Sequence, residues 1–392
     1  MNNYNDDTRG ASEPHKRTAA GTEAHHALGE MPDTTGPDER AHGTERTPRR
    51  GLTNAVHARE LQSVIWLRTL LLADRFRVIR TIDVAVRCFA ERPFKAALSA
   101  AQRAMRGLVK AKLLARYRTD RFMTVYGLTQ RGVAWIQERG HAASASVRRV
   151  TDMTNPEHRL WAQFLVLCAE ARGLHAMSEN ELAQKLAATS DAGLLKIQTK
   201  VKGRRQTRAL RPDAVAFEAD GVTWFEVDRS ARGSDRAASL RALALSVGAN
   251  TALKAPLRRV VVFTRTERIH ARVLATLDAL AQETAGRPLE EGVRRLRRSA
   301  NGTYEVHQAV SQRLGAGVRL TEVHAGYILV QPLPVHLPRV RLDGRGGVTP
   351  FGWFDENELP YRRPVRLGTW GQPTSPLLTG HAPTGPSARC PT

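Results

Sequence analysis

Arg211-Pro-Asp-Ala-Val-Ala-Phe-Glu-Ala-Asp-Gly-Val-Thr-Trp-Phe-Glu-Val-Asp-Arg229 is the stretch on which the fold of this 392-residue chain turns. Val215 alternates with Phe217, and beyond Ala219-Asp220-Gly221 the alternation resumes with Val222, Trp224 and Glu226. A period of two marks a strand with one face covered, and Asp-Gly is a strong short hairpin signal. The segment is therefore expected to fold as strand, tight turn, strand. Such a hairpin sets Asp213 beside Glu226 on neighbouring strands, with Asp228 two residues on. Two adjacent carboxylates in an open site suit a hard divalent cation such as Mg²⁺, which keeps several of its waters. A cation held there can activate water against a phosphodiester. Asp213 and Glu226 are the candidate metal ligands, and these two with Asp228 and Glu181 form the candidate catalytic set. The competing reading makes Asp213 a turn acid and Glu226–Asp228 a strand end paired to Arg211 or Arg229. Both readings stay open on the sequence.

Outward from the hairpin, the pattern builds an α/β sandwich over residues 150–300. His158–Leu174 is an apolar helix, and Ser178 with Glu181 three residues later has the form of a capping box. Lys196–Arg211 is a basic stretch containing Lys200, Lys202, Arg204, Arg205 and Arg208. After Gly233 a helix runs through Leu240, Leu243 and Leu245, followed by the buried-strand pattern Arg258–Thr264 and a helix over Ile269–Leu280. Residues 301–370 have short β-like runs and many prolines, and read as a β-rich extension.

Residues 51–145 follow a different plan. Leu61, Val64, Ile65, Leu67, Leu70 and Leu71 recur at helical spacing, Thr81 is placed to cap a short helix, and Pro93 can open a longer one. That longer helix has Leu98, Ala101, Met105, Leu108 and Val109 on one face, and Ser99, Gln102, Arg103, Arg106 and Lys110 on the other. Two β-like runs flank a charged turn, adding Arg116, Arg118 and Arg121, and Thr129 caps a last helix. Helix, helix, long helix, hairpin, helix is the winged helix-turn-helix order. A helix fits the major groove and a hairpin can reach the backbone, so these eight polar and basic side chains are the candidate DNA-binding set.

Charge supports that expectation. The chain carries 60 Lys and Arg against 38 Asp and Glu, a net +22. Residues 51–150 alone hold 19 basic and 6 acidic residues, so more than half of the excess lies on a quarter of the chain. A uniform compositional bias toward Arg would not concentrate in this way, and a basic domain draws a polyanion by counterion release. Residues 1–50 and 371–392 are rich in Gly, Pro and Thr with few large apolar side chains, and are expected to be disordered. Three widely separated cysteines argue against a disulfide framework. No apolar run approaches a membrane span or a secretory signal, so the expected setting is cytoplasmic, with no membrane partner.

Pro212-Asp213, a spacer and Glu226 resemble the PD-(D/E)XK nuclease motif, in which Lys would stand at position 228 to steady the attacking water; here Asp228 stands there, followed by Arg229. The two regions together resemble the replication-relaxation family of bacterial plasmids and mobile elements, across about Ala58 to Leu280. The matching pieces are Gly127-Leu-Thr-Gln-Arg-Gly132, the helix His158–Ala171, Ser178-Glu-Asn-Glu-Leu182, Arg211-Pro-Asp213 and Phe225-Glu-Val-Asp-Arg229. The resemblance implies an N-terminal winged helix-turn-helix followed by a PD-(D/E)XK-like α/β domain of weak or no activity. It also implies double-stranded DNA as partner, in plasmid replication or in relaxation and mobilisation, with replication or relaxosome proteins nearby. Two further functions remain in play: a Mg²⁺-dependent endodeoxyribonuclease using Asp213 and Glu226, and a winged-helix transcription regulator.

Overall fold

The N-terminal part of the described chain begins with α1 (Ala58–Phe76), α2 (Thr81–Phe89) and α3 (Phe94–Lys110), then the hairpin β1 (Leu114–Arg118) and β2 (Thr124–Leu128), then α4 (Gln130–Gln137). These assignments come from a computed structural model that describes residues 58–118, 124–145, 156–201, 204–228, 234–314, 317–333, 354 and 357–375. The expectations for residues 1–50, Arg121, Arg229 and residues 376–392 lie outside the described residues. In α3 the residues at helical spacing, Phe94, Ala97, Leu98, Ala101, Met105 and Leu108, are buried. The start of α2 differs from expectation by one residue. Arg80, not Thr81, is the N-cap, and its backbone N–H donates to Asp83 Oδ2 at 2.7 Å. The acid at the third helical position thus supplies the reciprocal half of a capping box, accepting from the N-cap N–H. Thr129 caps α4 as expected, accepting from Gly132 N at 3.0 Å, while its hydroxyl lies 3.0 Å from Leu113 O. A Cβ on Gly132 would come within 2.3 Å of that same carbonyl. The Gly127–Gly132 run therefore has a packing reason: it seats α4 on the end of β1.

A second group of elements builds a seven-stranded mixed sheet. In chain order these are α5 (Pro156–Ala171), β3 (His175–Ser178), α6 (Glu179–Ala187), β4 (Leu195–Val201), β5 (Arg204–Leu210), β6 (Ala214–Glu218), β7 (Gly221–Asp228), α7 (Ser234–Ala244), β8 (Leu257–Thr264), α8 (Glu267–Ala285), β9 (Arg294–Arg298), β10 (Tyr304–Leu314) and β11 (Gly317–Pro332). The strand order is β3-β6-β7-β8-β11-β10-β9. β7, β8 and β11 run parallel in the middle, and antiparallel pairs flank them. The expected hairpin is present, with Ala214 opposite Phe225 and Glu218 opposite Gly221. Gly221 has φ 140°, and a Cβ there would meet Pro256 O at 2.4 Å, so the turn admits only glycine without rearrangement.

Two stretches depart from the sequence reading. Lys196–Arg211, read only as a basic run, is largely a separate two-stranded ribbon, β4 against β5. Residues 304–332, read as an extension, enter the sheet itself, because β11 lies directly beside β8. The first residues of the expected C-terminal tail are also packed: Thr374 N donates to Ala171 O at 2.9 Å and Ser375 Oγ to Cys88 O at 2.7 Å.

One continuous apolar core runs from α1–α4 through α5 to the Phe225, Val227, Val261 and Phe263 face of the sheet. A second core lies on the other face, between Trp224, Val260 and Val262 and the helices α6, α7 and α8. Residues 50–392 accordingly form one compact unit. A buried polar knot fastens α2 to α5. Arg80 Nη2 donates to Asp83 Oδ1 at 2.8 Å and to Leu160 O at 2.7 Å, and Gln163 Nε2 donates to Asp83 Oδ2 at 3.0 Å. The two charges are paired, which offsets much of the cost of burying them, while Arg80 Nη1 is buried without a hydrogen-bond partner among the described residues. Among the described residues no helix is long and apolar enough to cross a membrane.

Candidate functional site

The outward face of α3 carries Ser99, Gln102, Arg103, Arg106 and Lys110, all exposed. Helical spacing puts them on one side because the opposite side supplies the core residues listed for α3 above. Arg106 Nε donates to Gln102 O at 3.3 Å, which lays the guanidinium along the helix surface. Arg116 and Arg118 on β1 are exposed as well. Seven of the eight candidate DNA-binding residues are thus described, and each is at the surface.

The acidic site lies at the open ends of β6 and β7. Asp213 precedes β6; its N–H donates to Phe225 O at 3.1 Å, and its Oδ2 accepts from Val227 N at 2.7 Å. His158 Nε2, on the first turn of α5, stands 3.1 Å from the same Oδ2. That bond to Asp213 raises the His158 pKa, against the lowering effect of burial. Glu226 points to the Trp224 face of β7 and accepts from Trp224 Nε1 at 3.1 Å. Burial first, and then the charge of Asp213, push its pKa up to about 8. Asp213 is therefore close enough to oppose the ionisation of Glu226.

Asp228 has a different environment. Arg236 Nη1 donates to its Oδ1 at 2.9 Å and Arg272 Nη2 to its Oδ2 at 2.9 Å. Its arginine partners thus come from α7 and α8, while Arg211 Nε donates to Ala192 O. Glu181 is occupied elsewhere. It accepts from Ser178 N and Ser178 Oγ, each at 2.8 Å, and from Arg75 Nε at 2.7 Å. The capping box is as expected, and Arg75 ties it to α1. Among the described residues, no group of three or more His, Cys, Asp or Glu side chains is placed to hold a metal ion. His158 was not singled out from the sequence. Its contact with Asp213 spans 55 positions between two elements, and a lone His at a helix start carries no signal of that.

Comparison with known proteins leaves this geometry to speak for itself: no protein-family model, no curated protein and no solved structure matches the chain.

Proposed function

We propose that the protein binds double-stranded DNA through α3 and the β1–β2 hairpin, in the manner of a winged helix-turn-helix. The observation that carries this reading is the exposed α3 face, which pairs an uninterrupted row of Ser, Gln, Arg and Lys with a buried apolar face opposite. Such side chains supply both phosphate contacts and donors for base edges. The motifs shared with the replication-relaxation family favour a setting in plasmid replication or mobilisation. The test is a salt titration of duplex binding with Arg103→Ala and Arg106→Ala. A phosphate-contacting arginine should lower the salt slope by about one unit, and a base-contacting one should cost about 1–3 kcal/mol and relax specificity. Wild-type affinity and slope in both variants would remove α3 from the interface.

A second reading concerns the sheet. The run α5-β3-β6-β7-α7-β8, with β7 and β8 parallel, supports a PD-(D/E)XK-like core. The raised pKa of Glu226 beside Asp213 favours a cation there, since a divalent ion would let both carboxylates ionise. The two acids fit Mg²⁺ in an open site where water makes up most of the coordination. When bound, the ion would supply an activated water. Asp228, held by two arginines where that motif has Lys, favours weak cleavage or none. Arginine keeps its charge and cannot take a proton from water.

A further inference from the structure

A cavity of about 310 Å³ opens between β7, α7, α8 and the end of β5. That is the small end of the ~300–1,000 Å³ usual for small-molecule sites. Its lining is basic: Arg208, Arg211, Arg236 and Arg272 stand against the two acids Glu226 and Asp228. Each arginine is tethered. Arg208 Nη1 donates to Ser239 Oγ at 3.3 Å, Arg211 Nε to Ala192 O at 2.7 Å, and Arg236 and Arg272 share Asp228. Asp228 grips one nitrogen of each, so two guanidinium groups are held side by side, and the Arg236 side chain remains 53% exposed. Tethering in advance removes much of the ordering cost a ligand would otherwise have to meet. The same two helices that carry Arg236 and Arg272 also contribute apolar lining, Leu240, Leu243 and Val273. A lining of this size that combines arginines with apolar side chains matches a small organic phosphate that has a flat, weakly polar part. The volume is too small for a duplex.

We infer that this cavity is a binding site for a single nucleotide, with its phosphate on the arginines and its sugar and base against the apolar side chains. Guanidinium groups recognise phosphate through parallel N–H donors, which is the arrangement two side-by-side arginines offer. The cavity shares Glu226 and Asp228 with the acidic site, so the inference names a ligand class for that site and does not depend on the duplex-reading face.

The test is calorimetric titration of the full chain, in EDTA, with thymidine 5′-monophosphate, inorganic phosphate and thymidine. Saturable binding of the monophosphate is expected, with inorganic phosphate weaker and thymidine silent. Arg236→Ala and Arg272→Ala should each weaken monophosphate binding at least tenfold. Leu240→Trp, which fills the apolar part of the cavity without altering charge, should weaken the monophosphate and spare inorganic phosphate. Arg208→Ala, at an exposed position of β5, provides a variant whose folding is not at stake and should also bind more weakly. Competition by a short single-stranded oligothymidylate would identify the ligand as a nucleotide within a strand; its failure to compete would identify a free nucleotide. No saturable monophosphate binding at millimolar concentration, equal binding of thymidine, or wild-type affinity in folded arginine variants would overturn the inference. Arg103→Ala and Arg106→Ala should leave monophosphate binding unchanged, so loss of the duplex reading would leave this one standing.

Discussion

The hairpin β6–β7 carries acids at both of its ends, and the two ends have been treated differently. At the turn end Glu218 and Asp220 meet Arg259, whose side chain is fully buried. Arg259 donates to Asp220 through Nη1 at 2.7 Å and Nη2 at 2.5 Å, donates to Thr223 Oγ1 at 2.8 Å, and lies 2.9 Å from Glu218. Tyr361 OH and Arg363 Nη1 complete Glu218 at 2.7 and 2.9 Å. At the open end Glu226 and Asp228 face a cavity, with Asp213 beside His158, and Glu226 finds an indole N–H rather than a cation. The same strands and the same residue types thus give a closed ion network at one end and an acid that resists ionisation at the other. Where the fold supplies counter-charges from several elements, acids serve structure; where it leaves them short, a cation or a proton must come from outside.

The comparison breaks most directly at its arginines. Arg259→Met leaves Glu218 buried with only part of its compensation, and should cost about 3 kcal/mol or more in urea unfolding. Arg236→Met, at the half-exposed open end, should cost about 1 kcal/mol or less. Equal losses would mean that the open end is as structural as the turn end.

Glu226 sharpens the contrast through pH. Its carboxyl is pushed up to about 8 in the folded chain, whereas an unfolded glutamate titrates at about 4.3. Between those values the folded state binds the extra proton, so this group's contribution is full at low pH and is lost as pH rises through 8. Glu226→Gln keeps the neutral form at every pH. It should match the parent near pH 5 and melt about 5 °C higher near pH 9. A melting difference that does not change with pH would show that Glu226 ionises without strain.

The two ends were not equally legible in the sequence. Alternation from Val215 to Glu226 and the Asp220-Gly221 turn disclose the hairpin, because period and turn chemistry are local. The same locality reveals the α3 faces, the Thr129 cap and the Ser178–Glu181 box. Partners supplied from afar are not visible. Arg259 lies 39 residues from Asp220, Arg363 lies 145 residues from Glu218, and Arg272 lies 44 from Asp228. For the same reason β11 reads as an extension until its pairing with β8 is seen, and Arg236 and Arg272 are not visible as partners of Asp228.

Cation binding separates the ends again, with a smaller effect. Mg²⁺ or Mn²⁺ bound only to the folded chain stabilises it by about 2.7 kcal/mol at a hundred times its Kd, or a few degrees in melting temperature. Asp213→Ala and Glu226→Ala should abolish that increment, and Glu218→Gln, at the turn end, should retain it whatever its own stability. Incubation with supercoiled DNA should give little or no nicking. Metal-dependent cutting that both alanine variants abolish would make the protein an endonuclease.

The smallest effects concern the chain ends, where the rule about supplied partners applies once more. Both terminal stretches read alike in composition, rich in Gly, Pro and Thr. Residues 371–375 nevertheless find partners: Thr374 N bonds Ala171 O, and Ser375, fully buried, donates to Cys88 O, which joins the chain end to both α5 and α2. Two such bonds are worth about 1–3 kcal/mol together, so ending the chain after Gly371 should lower the melting temperature by a few degrees. Ending it after Ser375 keeps both bonds and should change nothing. Deleting residues 2–50 should also change nothing, because that segment has almost no large apolar side chains to bury and so cannot offset the entropy of ordering it. Parallel melting curves of the three truncations decide the matter. A drop on removing residues 2–50 as large as that on ending at Gly371 would mean that composition alone is a poor guide to which end of this chain is held.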